Sequence, residues 1–122
     1  MLLLLHRYFS WDDGLVHYVA ISTELYSVPG STATGVGVFS QHAWLKEDLA
    51  KANANRQAVP WIVVHGHRSL YCSCDGDCDA GALELRAALE KLFFDNGVDL
   101  YLNGKKTCNS FVSATACPTV AL

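Results

Sequence analysis

The sequence predicts an α/β fold in which helices pack on a sheet, in the order β-hairpin, helix, strand, helix, strand. Three observations carry that expectation. Two β-prone runs flank an Asp13-Gly14 pair, and the short apolar run Trp61 to Val64 has the character of a central strand. Two further stretches space their large apolar residues at helical intervals.

The hairpin comes first, between Tyr8 and Ser22, because Asp-Gly between alternating apolar residues favours a tight reversal. Its second run places Leu15, His17, Val19 and Ile21 on one side and Val16, Tyr18 and Ala20 on the other. Both sides are apolar, so a strand buried on both faces is expected. A Gly/Ser/Thr-rich loop follows from Val28 to Ser40 and lacks the Lys-Ser/Thr of a phosphate loop. Ser40 is placed to cap a helix from about Gln41 to Asn53, with Trp44, Leu45, Leu49 and Ala52 on its inner stripe. Lys46, Glu47, Asp48 and Lys51 should then face water. Asn53 to Pro60 ends that helix, and Trp61 to Val64 forms the next strand. A second helix is expected with Asp79 as its cap, Leu85, Leu89, Leu92 and Phe93 inward, and Gly97 as its stop. Val98 to Leu102 returns as a strand. Beyond Gly104 the chain turns polar and small without periodicity, which predicts a loosely ordered tail over 105–122. The organised domain is therefore expected over 8–104.

Composition narrows the function classes. The 122 residues are 51% apolar and 17% charged, far from a disordered composition and enough for one domain. A net charge of -3, with nine scattered Lys and Arg, gives no footprint for nucleic acid. Four leucines near Met1 make too short an apolar core for a signal peptide and lack a cleavage site, and nothing approaches a membrane span. Of five cysteines, Cys72, Cys74 and Cys78 crowd one loop and Cys108 and Cys117 lie in the tail. An odd count leaves at least one thiol unpaired within a monomer.

The chemistry-bearing candidates gather where strands end. In open α/β sheets ligands bind beyond the carboxyl ends of strands, which is where His65, Gly66, His67 and Arg68 fall. A turn beginning at Gly66 favours His67 as the residue that reaches a site, against the plainer reading of hydrogen-bonded surface histidines. The acidic loop Asp75 to Asp79 fails as a calcium loop, since Ala80 and Arg86 stand where Gly and Glu are required. Zinc on Cys72, Cys74 and Cys78 ranks below a disulfide such as Cys72 to Cys78. His17 reads as a core histidine and His42 as solvent-facing.

Four segments in order resemble the purple acid phosphatases, members of the calcineurin-like metallophosphoesterases. They are Y-F-S-W-D-D-G-L-V-H-Y-V-A-I-S-T-E from Tyr8, W-L-K-E-D-L-A-K-A-N-A-N-R from Trp44, V-P-W-I-V-V-H-G-H-R-S-L-Y-C-S from Val59, and F-F-D-N-G-V-D-L-Y-L-N-G from Phe93. They look like the second half of that family's catalytic domain, an α/β sandwich, with 105–122 divergent. The resemblance implies hydrolysis of phosphate monoesters at acid pH by a binuclear centre, ferric iron, Fe(III), with Zn, Fe or Mn. Two such cations clamp phosphoryl oxygens and acidify a bound water. It also implies a secreted or lysosomal/vacuolar setting.

The resemblance assigns His67 to the divalent metal, as the histidine of a Gly-His-Arg-Pro motif in which Ser69 here replaces proline. Where the family continues after the equivalent of Asn103-Gly104 with His-x-His, this sequence has Lys105, Lys106 and Thr107. The family's earlier Asp, Asp-x-x-Tyr and Gly-Asn-His-Glu ligand motifs would precede residue 1. One imidazole does not hold two metals against water. The expectations are thus a partial catalytic domain with little or no phosphatase activity and no retained binuclear centre, its ends set by an internal start and by a frameshift, retained intron or wrongly predicted gene end. A second expectation is a non-catalytic fragment that self-associates through an exposed apolar sheet face.

Overall fold

The computed structural model describes residues 7–27, 36–71, 80–104, 110–111 and 120–121. Strands β1 (Phe9–Asp13) and β2 (Val16–Ala20) form the expected antiparallel hairpin, with Asp13 opposite Val16. Gly14 turns it with φ +57°, a conformation a side chain would resist. A four-residue helix, α1 (Glu24–Ser27), precedes the long helix α2 (Val36–Ala54), which leads to β3 (Trp61–Gly66). Helix α3 (Ala80–Asp95) then leads to β4 (Leu100–Asn103).

The sheet order is β1-β2-β3-β4, with β2, β3 and β4 parallel. Two successive crossovers that step the same way along a sheet, each right-handed, put both helices on one face. The core agrees: Val19, Ile62, Val64 and Tyr101 from the strands form one buried cluster with Leu45 and Leu49 of α2 and Leu85, Leu89 and Phe93 of α3.

The opposite face carries the alternate residues. Phe9, Trp11 and Tyr18 stack in a row, with ring centroids 5.5 and 5.1 Å apart, and Trp11 meets His65 edge-on at 6.0 Å. Phe9, Trp11 and Trp61 remain 51%, 41% and 54% exposed. This half of the strand pattern therefore corrects the expectation of double burial: in β2 only Val19 and Ala20 are buried, while Val16, His17 and Tyr18 are half-buried.

Several boundaries also move. Helix α2 starts at Val36, so Ser40 lies inside it rather than capping it. Gln41 explains why that turn is formed: its amide is fully buried, accepting from Ser22 N at 2.8 Å and donating to Ser22 O at 3.1 Å. Tertiary bonds of this kind override weak local propensity. Asp48 does not face water, being held by Ser10 and His17, and His42 packs edge-on to Tyr26 at 6.5 Å instead of pointing freely to solvent. Gly97 stops α3 as expected, with φ +60°. Val98 N bonds Phe93 O at 3.0 Å and Gly97 N bonds Phe94 O at 3.1 Å, the paired capping bonds of a Schellman ending. Within the tail, β5 (Ser110–Phe111) pairs antiparallel with β6 (Val120–Ala121). Asp79, the acidic loop and all five cysteines lie outside the described residues.

At the amino end of the parallel strands Arg56 locks the two crossovers together. Its guanidinium donates to Pro60 O at 2.7 Å, Gly97 O at 2.6 Å, Asn96 O at 3.0 Å and Asp99 at 2.9 Å. Asp99 in turn accepts from Ile62 N at 2.8 Å.

Candidate functional site

The carboxyl ends of β2, β3 and β4 lie side by side, and the residues leaving them form the candidate site. Strand β3 runs two residues further than the apolar pattern indicates, through His65 and Gly66, so the reversal begins at His67. His65 remains in the strand, its ring against Trp11, while the His67 side chain is exposed beyond the strand end. The structure thus separates the two histidines.

The turn carrying His67 is braced from both neighbouring strands. Arg68 N donates to Thr23 Oγ1 at 3.1 Å, and the Arg68 guanidinium grips both Glu24 oxygens at 2.9 and 2.8 Å. From β4, Tyr101 donates its hydroxyl to Arg68 O at 2.6 Å, and Ser69 donates to Asn103 Oδ1 at 2.9 Å. Gly104 N reaches Gly66 O at 3.3 Å. Burial pushes the Tyr101 hydroxyl far above its usual range, so it stays a donor across all ordinary pH.

Gly66 is what lets these parts close. A Cβ there would stand 2.6 Å from Thr23 Cγ2 and 2.8 Å from Tyr101 Oη. Sequence reading singled out His67 and Arg68 but missed Thr23, Glu24 and Tyr101 as the braces. The Thr-Glu pair just past β2 was a usable signal, since residues leaving adjacent parallel strands meet.

The scan against family models matches residues 4–104 to the calcineurin-like phosphoesterases. This chain belongs to that family. Among curated relatives, acid phosphatase type 7 of Homo sapiens is 40% identical over 104 residues, covering 78% of this chain and 23% of that protein. Probable inactive purple acid phosphatase 9 of Arabidopsis thaliana is 37% identical over 98 residues, covering 80% and 14%. The structure of a purple acid phosphatase from yellow lupin (Lupinus luteus) seeds superposes with a TM-score of 0.57 at 24% identity, over 79% of this chain and 16% of that one. The chain therefore spans about a quarter or less of the length of these relatives, and its mixed α/β sheet shares the fold of the part of the lupin structure that it matches.

Purple acid phosphatases are known for binuclear metal centres, and the donor set among the described residues does not match one. Among the described residues no three His, Cys, Asp or Glu side chains come together in a way that would hold an ion. At the site itself Glu24 is committed to Arg68, and His67 stands as a single imidazole. A metal of this class needs several such ligands to displace water. No helix among the described residues is long and apolar enough to cross a membrane.

Proposed function

We propose that this phosphoesterase chain is part of an acid phosphatase catalytic domain, in which His67 contributes one ligand to the divalent metal and the substrate is a phosphate monoester. The observation that carries this reading is the braced turn at the carboxyl edge of the parallel strands, which sets an exposed imidazole where α/β folds place their ligands. The family would work in a secreted or lysosomal/vacuolar setting. Among the described residues the ligands of a full binuclear centre do not come together.

The reading is tested on purified protein incubated with ferric and zinc salts. Hydrolysis of p-nitrophenyl phosphate should be negligible and no iron should remain after desalting. Zinc titration should nevertheless perturb the His67 ring signals weakly, and His67→Ala should abolish that perturbation. Robust turnover would overturn the incomplete centre, and zinc perturbing another histidine alone would overturn the role of His67.

A second reading is favoured by the exposed Phe9, Trp11 and Trp61 on the open sheet face. In it the chain is a non-catalytic binding or regulatory fragment that associates through this surface, because large apolar side chains exposed together on one sheet face often mark a contact surface. Sedimentation velocity decides it: concentration-dependent dimers or larger species support association, and a clean monomer at all concentrations excludes it.

A further inference from the structure

His17 sits on the helix-covered face of β2, in the amino-terminal half of the parallel strands and away from the site at their carboxyl ends. Both of its ring nitrogens meet carboxylates. Nδ1 lies 2.6 Å from Asp12 Oδ1, across the hairpin, and Nε2 lies 3.1 Å from Asp48 Oδ2 on α2. Asp48 is further held by the Ser10 hydroxyl, which donates to Oδ1 at 2.7 Å. The bridge thus joins β1, β2 and α2, with the His17 side chain 12% exposed.

The protonation requirement follows from the inventory of donors. A neutral imidazole has one N–H and one lone pair, so it can donate to only one carboxylate and must turn the lone pair on the other. Only the imidazolium donates to both. We infer that Asp12, His17 and Asp48 form a pH-sensitive clamp that holds the β1–β2 hairpin against α2 in acid and loses one of its two links when the imidazolium gives up its proton.

The surroundings give the direction. Burial opposes charge on His17, but the hydrogen bonds and negative charges of Asp12 and Asp48 outweigh it and raise the group above its ordinary value near 6.5. The neighbour of His17 on β3 is Ile62, which carries no charge. A histidine raised in the folded state contributes stability that is complete below its unfolded value and disappears as pH climbs through the folded one. His42 works the other way. Burial first, and Lys46 second, lower it, so its contribution favours higher pH. The His17 effect must therefore be read as a difference between proteins and not from one profile.

The experiment is urea unfolding of the full chain at intervals from pH 5 to 8.5, for the wild type and His17→Gln. Relative to the variant, the wild-type unfolding constant should rise roughly two- to fivefold across that range, the scale of a partly exposed ion pair. In parallel, nitrogen-detected NMR of the wild type should show both His17 ring nitrogens protonated in acid and a titration midpoint above 6.5. Parallel stability profiles, or a His17 midpoint at or below 6.5, would overturn the clamp. Should His17→Gln fail to fold, Asp12→Asn removes the more exposed partner and must lower the His17 midpoint; an unchanged midpoint overturns it equally.

Discussion

A methyl group at residue 66 would press on both Thr23 and Tyr101, the two side chains that hold the His67 turn. Neither can retreat freely, since Thr23 and Tyr101 are both buried. Gly66→Ala should therefore cost about 1–3 kcal/mol in urea unfolding, the usual penalty for forcing atoms into a filled space. His67 makes the opposite case. Its side chain is exposed, so His67→Ala should change stability by no more than about 0.5 kcal/mol. A larger loss would mean the imidazole is structural and would weaken its assignment as a ligand. Arg56 lies between these extremes: Arg56→Met strips bonds from three carbonyls and Asp99, and a loss of roughly 2–3 kcal/mol is expected by the same assay.

Among the elements, those whose signals are local were legible in the sequence. The Asp13-Gly14 reversal and the Gly97 stop each depend on a glycine taking a positive φ beside its own strand or helix, and both stand where expected. The leucine stripe of α3 was equally readable, because 3.6-residue spacing needs no knowledge of partners. Leu89→Ala, at a fully buried position facing the sheet, should cost about 2–5 kcal/mol of stability by calorimetry or denaturant. Features fixed by distant partners were not legible. Asp48 occupies a position that helical period assigns to water, yet its partners Ser10 and His17 are 38 and 31 residues away. The start of α2 is tied to Ser22 through Gln41, and α1 is too short to show a period. At the site, the family motif singled out His67, whereas the braces of its turn come from two separate strand ends, those of β2 and β4, that only the parallel register brings together.

For the molecule as a whole, two helices on one side leave the other side of the sheet to aromatic residues. If that face mediates association, Trp61→Lys should shift sedimentation toward monomer while leaving unfolding nearly unchanged, because Trp61 lies outside the buried core. Persistence of the larger species would place the contact elsewhere. The order β1-β2-β3-β4 has a different consequence, for how the sheet is assembled. Each strand adds to an edge made by the one before it, and none has to insert between two already paired. A chain emerging from the ribosome amino end first can thus grow its sheet outward in the direction of synthesis. Halted nascent chains should gain protease protection in steps, first once β3 has emerged and again after β4. A single step at the last residue would show that the sheet waits for the whole chain.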